Sequence, residues 1–190
     1  MPLTRRMLGP GPAIAALAAP YQMYDRLAAD GATVYNWGTR HHWEEAIRVH
    51  HEMVLEALAR LRPMAGSGAG RTVLLGFSQP VGLNYRFAGT HPGAVGGVIG
   101  LCGGVPSRWE EEAYQPVTAP LLHIARTEDE FYPVAKVEKF PERLRRHARD
   151  VEFHLLPGGH RFPSQAGPIV AGWLARTELM PVTGPSFGAG

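Results

Sequence analysis

The chain has 190 residues, enough for one domain with a substantial core. Its 19 basic and 17 acidic residues leave a net charge of +2, which marks neither a nucleic-acid binder nor a trap for acidic ligands. A single cysteine, Cys102, excludes an intramolecular disulfide framework and points to a reducing compartment, the cytoplasm, and no apolar run reaches membrane-spanning length.

In chain order, Thr4-Arg5-Arg6-Met7-Leu8 followed by the apolar residues 13–19 has the charge-then-apolar order of an export signal. The apolar part is short and follows Gly9-Pro10-Gly11-Pro12, so it reads better as an alanine-rich helix opened by Pro12 and broken at Pro20. Ala32-Thr33-Val34-Tyr35-Asn36 predicts a strand bounded by Asp30-Gly31 and Gly38. Over residues 44–62, Ile47, Val54, Leu58 and Leu61 share one helical face, Glu44 and Glu45 suit the N-terminal dipole, and Pro63 ends the helix. The pairs His41-His42 and His50-His51 lack the spacing of two helical metal ligands on one face. One histidine of each pair is expected to pack and the other to be solvated, and no metal site is predicted.

After a glycine-rich connector over residues 64–70, Arg71-Thr72-Val73-Leu74-Leu75 is an apolar strand that stops at Gly76-Phe77-Ser78-Gln79-Pro80 and turns into a helix over residues 81–88, ended by Gly89. This is the layout of a nucleophile elbow: a tight strand-to-helix turn exposes the serine hydroxyl and aims the next backbone N–H, that of Gln79, at a developing oxyanion. Pro80 stands where glycine is usual, and in a first helical turn its missing N–H has no intrahelical acceptor to lose. Residues 94–101 predict the next strand, with Cys102 as a buried thiol at its end. Two further strand–helix units follow, with strands at 121–125 and 151–156 and helices at about 134–148 and 165–179. Strands and helices in alternation predict an α/β fold, a mostly parallel sheet with helices on both faces and its site at the carboxyl ends of the strands. Residues 181–190 read as a loose tail.

An acidic run, Glu128-Asp129-Glu130, follows the third of these strands, and Pro157-Gly158-Gly159-His160 follows the fourth. Serine, then acid, then histidine on successive strand ends resembles the α/β-hydrolase superfamily, and Gly76-Phe77-Ser78-Gln79 is similar to the elbow of its phospholipase/carboxylesterase group. The resemblance covers roughly residues 70–178 and implies one α/β-hydrolase-like domain over 1–190. Residues 1–70 would be a divergent or truncated N-terminal part, 71–178 the catalytic core and 179–190 the tail. It further implies a serine esterase acting on a small-molecule carboxylic ester or thioester, with no cofactor. Ser78 would be the nucleophile, His160 the base and Asp129 the acid, because the family spacing places a proline four residues on, at Pro133. The Gln79 N–H would be an oxyanion donor. Trp109, in the loop after residues 94–101, is the candidate substrate-binding residue, the alternative being a tryptophan that packs this loop onto the domain.

One family feature is missing: a His-Gly turn before the elbow whose N–H supplies the second oxyanion donor. In relatives the strand bearing that turn pairs with the elbow strand. Here residues 32–36, the N-terminal segment or a second chain in a homodimer would have to cover the edge of residues 72–75. The competing expectation is a catalytically weak or silent binding domain that keeps the hydrolase shape.

Overall fold

The computed structural model describes residues 2–9, 11–24, 33–38, 40–66, 68–111 and 114–179. Asp30, Gly31, Ala32 and the expected tail beyond Leu179 lie outside them. Helix α1 (Pro2–Leu8) and a hairpin of β1 (Tyr21–Tyr24) and β2 (Thr33–Asn36) precede the long helix α2 (Trp43–Ala65). Then come β3 (Val73–Phe77), α3 (Gln79–Thr90), β4 (Gly97–Leu101), β5 (Leu121–Arg126), α4 (Val134–Val137), α5 (Phe140–His147), β6 (Val151–Leu156) and α6 (Gly167–Arg176). The four later strands form a parallel sheet in the order β3-β4-β5-β6. This is the α/β architecture that the alternating pattern predicts.

Both faces of the sheet are covered, which explains why β4 and β5 are buried at every position instead of alternating with solvent. On one face Val98 and Leu121 pack with Val54 and Leu58 of α2, Tyr85 and Phe87 of α3, and Phe140 and Leu144 of α5. On the other, Ile99, Leu101, Leu122 and Ile124 pack with Met7 of α1 and with Val170, Trp173 and Leu174 of α6. The period-two switch of β4 and β5 between these two cores sets the register that brings their carboxyl ends level.

Several elements differ from the sequence expectation. Residues 11–20 form no helix, and the helix lies before them. The Gly9 N–H returns to the Arg5 carbonyl at a φ of +72°, while the Arg5 guanidinium donates to the Gly9 and Pro12 carbonyls at 3.0 and 2.8 Å. A seven-residue alanine-rich segment after that stop is too short to hold a helix without packing. Pro63 lies inside α2, which ends instead at Gly66 in the left-handed conformation. Gly89 likewise sits within α3, which runs on to Thr90. The helix expected over 134–148 is two, with Pro141 in the first turn of α5, and a 3₁₀ turn at Ser164–Ala166 precedes α6.

The buried stripe of α2 is Ala46, His50, Val54 and Leu58 with His51, whereas Leu61 is 37% exposed. Neither histidine pair divides as expected: His41 and His42 are both exposed, and His50 and His51 are both buried. His51 packs edge-on against Phe87 and His91 across the α2–α3 contact. Burial holds both imidazoles down from the ordinary 6.5 to about 4, and the charges of His50, His91 and Arg86 add to the effect at His51. The unfolded chain therefore binds more protons than the native one between these values, and stability falls as pH drops from 6.5 towards 4, by up to about 3 kcal/mol per histidine. Urea unfolding at pH 7 and at pH 4 should differ by several kcal/mol. Equal stabilities would mean that the pair is not buried and neutral.

Strand β2 pairs antiparallel with β1, from Tyr21 opposite Asn36 to Tyr24 opposite Thr33, and not with the elbow strand. Among the described residues, Thr33–Asn36 pair only with β1, so the local repair expected from this segment is not seen. Residues 12–17 line a cavity along β3 with Val73, Leu74 and Leu75. Among the described residues no backbone hydrogen bond joins that segment to the strand. The outer edge of β3 is open in that sense.

Candidate active site

The elbow is built by close approach. A Cβ at Gly76 would lie 2.9 Å from Asn84 Nδ2 and 3.0 Å from the Val81 nitrogen, so only glycine lets α3 start this near to β3. Ser78, between the two elements, has φ 65° and ψ −121°, a conformation a non-glycine residue holds only at a cost of about 1–3 kcal/mol. Its N–H donates to the Leu101 carbonyl at 2.9 Å and its carbonyl accepts the Val81 N–H at 3.2 Å, which ties the strained residue to β4 and to the first turn of α3. Pro80 occupies that first turn. Gln79 is its first residue, so the Gln79 N–H has no intrahelical acceptor.

Ser78, Asp129 and His160 come together from three strand ends. His160 Nε2 is 2.8 Å from Ser78 Oγ, and His160 Nδ1 is 2.8 Å from Asp129 Oδ2. The Asp129 side chain is 1% exposed and that of His160 11%. The other carboxylate oxygen of Asp129 accepts the N–H groups of Phe131 and Tyr132 at 2.9 and 3.0 Å, so its orientation is set by its own loop. A carboxylate only accepts; Nδ1 therefore carries the imidazole proton, and the Nε2 lone pair faces the serine hydroxyl. The loop that returns His160 turns at Gly158, with φ +117°, where a Cβ would run into the Arg126 guanidinium.

Side chains not singled out in the sequence complete the surroundings. Glu130 Oε2 accepts the His160 backbone N–H at 3.1 Å, and the imidazole packs among Phe77, Phe131 and Tyr132. The position of Phe131 and Tyr132 directly after Asp129 was the available signal for two of these. Cys102 is buried, donates to the Arg161 carbonyl at 3.5 Å, and is pushed up to about 11 by burial and the charge of Asp129. It is a structural thiol rather than a second nucleophile.

Trp109 does not meet the expectation of a substrate-binding residue. It has no exposure and is stacked between Tyr85, 5.8 Å away, and His147, 4.3 Å away, so no ligand can reach its ring. Its role is the alternative one, fastening the loop after β4 onto the core. Trp109→Ala is expected to cost about 3–5 kcal/mol by urea unfolding and to leave the KM for a small ester unchanged, whereas a raised KM at parental stability would return the residue to the site.

Among the described residues, the loop that meets the Gln79 side chain has no unengaged N–H at Trp37 or Gly38. The Trp37 N–H donates to Gln79 Oε1 at 2.8 Å and the Gly38 N–H to Asn36 Oδ1 at 3.0 Å, so both are already engaged. A cavity of about 360 Å³ continues from here along β3, bordered by Trp37, Pro80, His50 and Leu75, and no member of the Ser78–His160–Asp129 group lines it. Among the described residues no three His, Cys, Asp or Glu side chains are placed to hold a metal ion, and no helix is long and apolar enough to cross a membrane.

A parallel α/β sheet with helices on both faces and a serine held in a strand-to-helix elbow at its carboxyl edge is the architecture of the α/β-hydrolase fold. Residues 22–175 match the phospholipase/carboxylesterase family, and the chain belongs to that family. It is similar in fold to Arabidopsis thaliana SOBER1, with 19% identity, a TM-score of 0.65 and coverage of 85% of this chain and 81% of that one. The corresponding values for a carboxylesterase from Mesorhizobium loti are 21%, 0.61, 92% and 80%. A homoserine O-acetyltransferase from Citrifermentans bemidjiense is 40% identical over 50 residues, 26% of this chain, and the match spans 14% of that protein's length.

Proposed function

We propose that the protein is a serine esterase that cleaves small carboxylic esters or thioesters through an acyl-enzyme on Ser78. The observation that carries this reading is the unbroken hydrogen-bonded chain Asp129–His160–Ser78, ending on a hydroxyl in an elbow conformation. In the first step His160 Nε2 takes the Ser78 proton as Oγ bonds to the substrate carbonyl carbon, and the Gln79 N–H faces the oxygen that gains the charge. Collapse of the tetrahedral intermediate breaks the bond to the alcohol or thiol, which leaves with the proton from Nε2. Water then repeats the sequence on the acyl-enzyme and releases the acid. Asp129 holds the imidazole in its tautomer and stabilises the imidazolium while it lasts. Serine, imidazole and backbone N–H groups carry every step, so the reaction as proposed calls for no cofactor.

The engaged N–H groups of Trp37 and Gly38 favour a second reading, in which the family site persists without useful turnover. Losing one oxyanion donor costs about a hundred- to a thousandfold in rate. A fluorophosphonate probe separates the two: covalent labelling of Ser78 in the folded protein supports the esterase, and its absence supports the silent domain. The open edge of β3 also offers a surface on which a second copy could pair as a homodimer. Light scattering should then give twice the 20.7 kDa chain mass, and a monomer with β3 amides protected from exchange would dismiss that pairing.

A further inference from the structure

The Gln79 carboxamide is committed entirely to a loop more than forty residues away in sequence. Its Oε1 accepts the Trp37 N–H at 2.8 Å, and its Nε2 donates to the Gly38 carbonyl at 3.0 Å. An amide side chain can donate and accept side by side, as a backbone peptide does, so Gln79 satisfies an N–H and a C=O of the same short loop at once. That loop is itself fixed to α2. A Cβ on Gly38 would lie 2.6 Å from the Ala46 Cβ and 3.1 Å from the Trp43 ring, and the Trp37 ring meets His50 edge-on at 5.0 Å.

The elbow is held unequally on its two sides. Towards β4 the Ser78 N–H is anchored on Leu101. Towards the open side of β3, the two carboxamide bonds are the only hydrogen bonds among the described residues that link positions 78–81 to the elements beyond the strand. Where a neighbouring strand would brace the turn, one side chain does.

We propose that the Gln79 side chain is a positioning residue for the hydrolytic reaction. By clamping the 37–38 loop it fixes the Ser78–Gln79 peptide plane, so that the Gln79 N–H faces the oxyanion. The proposal rests on the esterase reading. The carboxamide does not touch substrate, and its effect falls on kcat, because the oxyanion forms only after binding. Since the two N–H groups described in that loop, those of Trp37 and Gly38, are both engaged, the aim of the Gln79 N–H matters more here than in a site with two aligned donors.

The test uses the full chain with Gln79→Met and Gln79→Glu, read by ester kinetics, thermal unfolding and amide exchange at Trp37. Met keeps the length and removes both hydrogen bonds. Glu keeps an acceptor for the Trp37 N–H but sets a carboxylate oxygen against the Gly38 carbonyl. Both variants should stay folded, with the unfolding temperature lowered by no more than several degrees for the lost hydrogen bonds, lose about 10- to 100-fold in kcat with KM little changed, and in Gln79→Met the Trp37 amide should lose its protection. Compared with the parental protein at each pH, the kcat deficit of Gln79→Glu should in addition narrow as the pH is lowered and its carboxyl regains a proton to donate, which a purely structural role would not produce. Parental kcat in Gln79→Met, or a Trp37 amide that stays protected, would overturn the clamp while leaving Ser78 labelling intact. Parental protein that fluorophosphonate does not label would instead remove the esterase reading and the clamp's catalytic role with it.

Discussion

Ser78→Ala is expected to lose nearly all ester turnover and all fluorophosphonate labelling, with its unfolding transition in place. The loss should be the largest of any single change, because the nucleophile and base act as a unit. Removing either from such a pair lowers kcat by about a millionfold. Stability should hold or rise slightly, since the residue adopts φ 65° and makes its backbone bonds to Leu101 and Val81 whatever its side chain. Residual labelling of the alanine protein would place the reactive nucleophile elsewhere.

Asp129→Asn should lower kcat by about ten-thousandfold, the size seen where a triad carboxylate becomes an amide. The geometry gives a specific reason. Asp129 Oδ1 accepts two backbone N–H groups, from Phe131 and Tyr132, so the oxygen of an asparagine is held there and its NH₂ falls on the side of His160. Nδ1 must then accept, the ring proton moves to Nε2, and the lone pair that should receive the Ser78 proton is gone. Glu128→Gln should be near neutral. Glu130→Gln should cost a few-fold at most, since a glutamine oxygen can still accept the His160 backbone N–H. Kinetics of the three variants side by side decide the matter, and equal losses across them would sink the role of Asp129.

The meeting of Ser78, Asp129 and His160 at one edge of the sheet was legible because each lies within four residues of the end of an apolar run that reads as a buried strand. Ser78 follows β3, Asp129 follows β5 and His160 follows β6, and parallel strands in a doubly covered sheet end on one side. Glycines gave the turns away: Gly76 by the closeness of α3, and Gly158 by its positive φ. The N-terminal third was harder to read for the opposite reason. Its short segments have patterns that suit a helix, a hairpin or an added strand equally well, and which one forms depends on the partner. Residues 13–19 form no helix, being too short a segment to hold one without packing, and residues 33–36 pair with β1 rather than β3.

By itself, then, the order of residues determined the parallel α/β sheet and which serine, carboxylate and histidine stand at its carboxyl edge, since these depend on local periodicity and on turns that admit few residue types. Only the tertiary structure decided that Trp109 is a core residue, that both His50 and His51 are buried, and that no described strand pairs with the outer edge of the elbow strand. It also turned Gln79 into a contact with Trp37 and Gly38. Those outcomes depend on which surfaces meet across long sequence separations, where one aromatic ring or amide can serve the core, the surface or the site with the same local sequence around it.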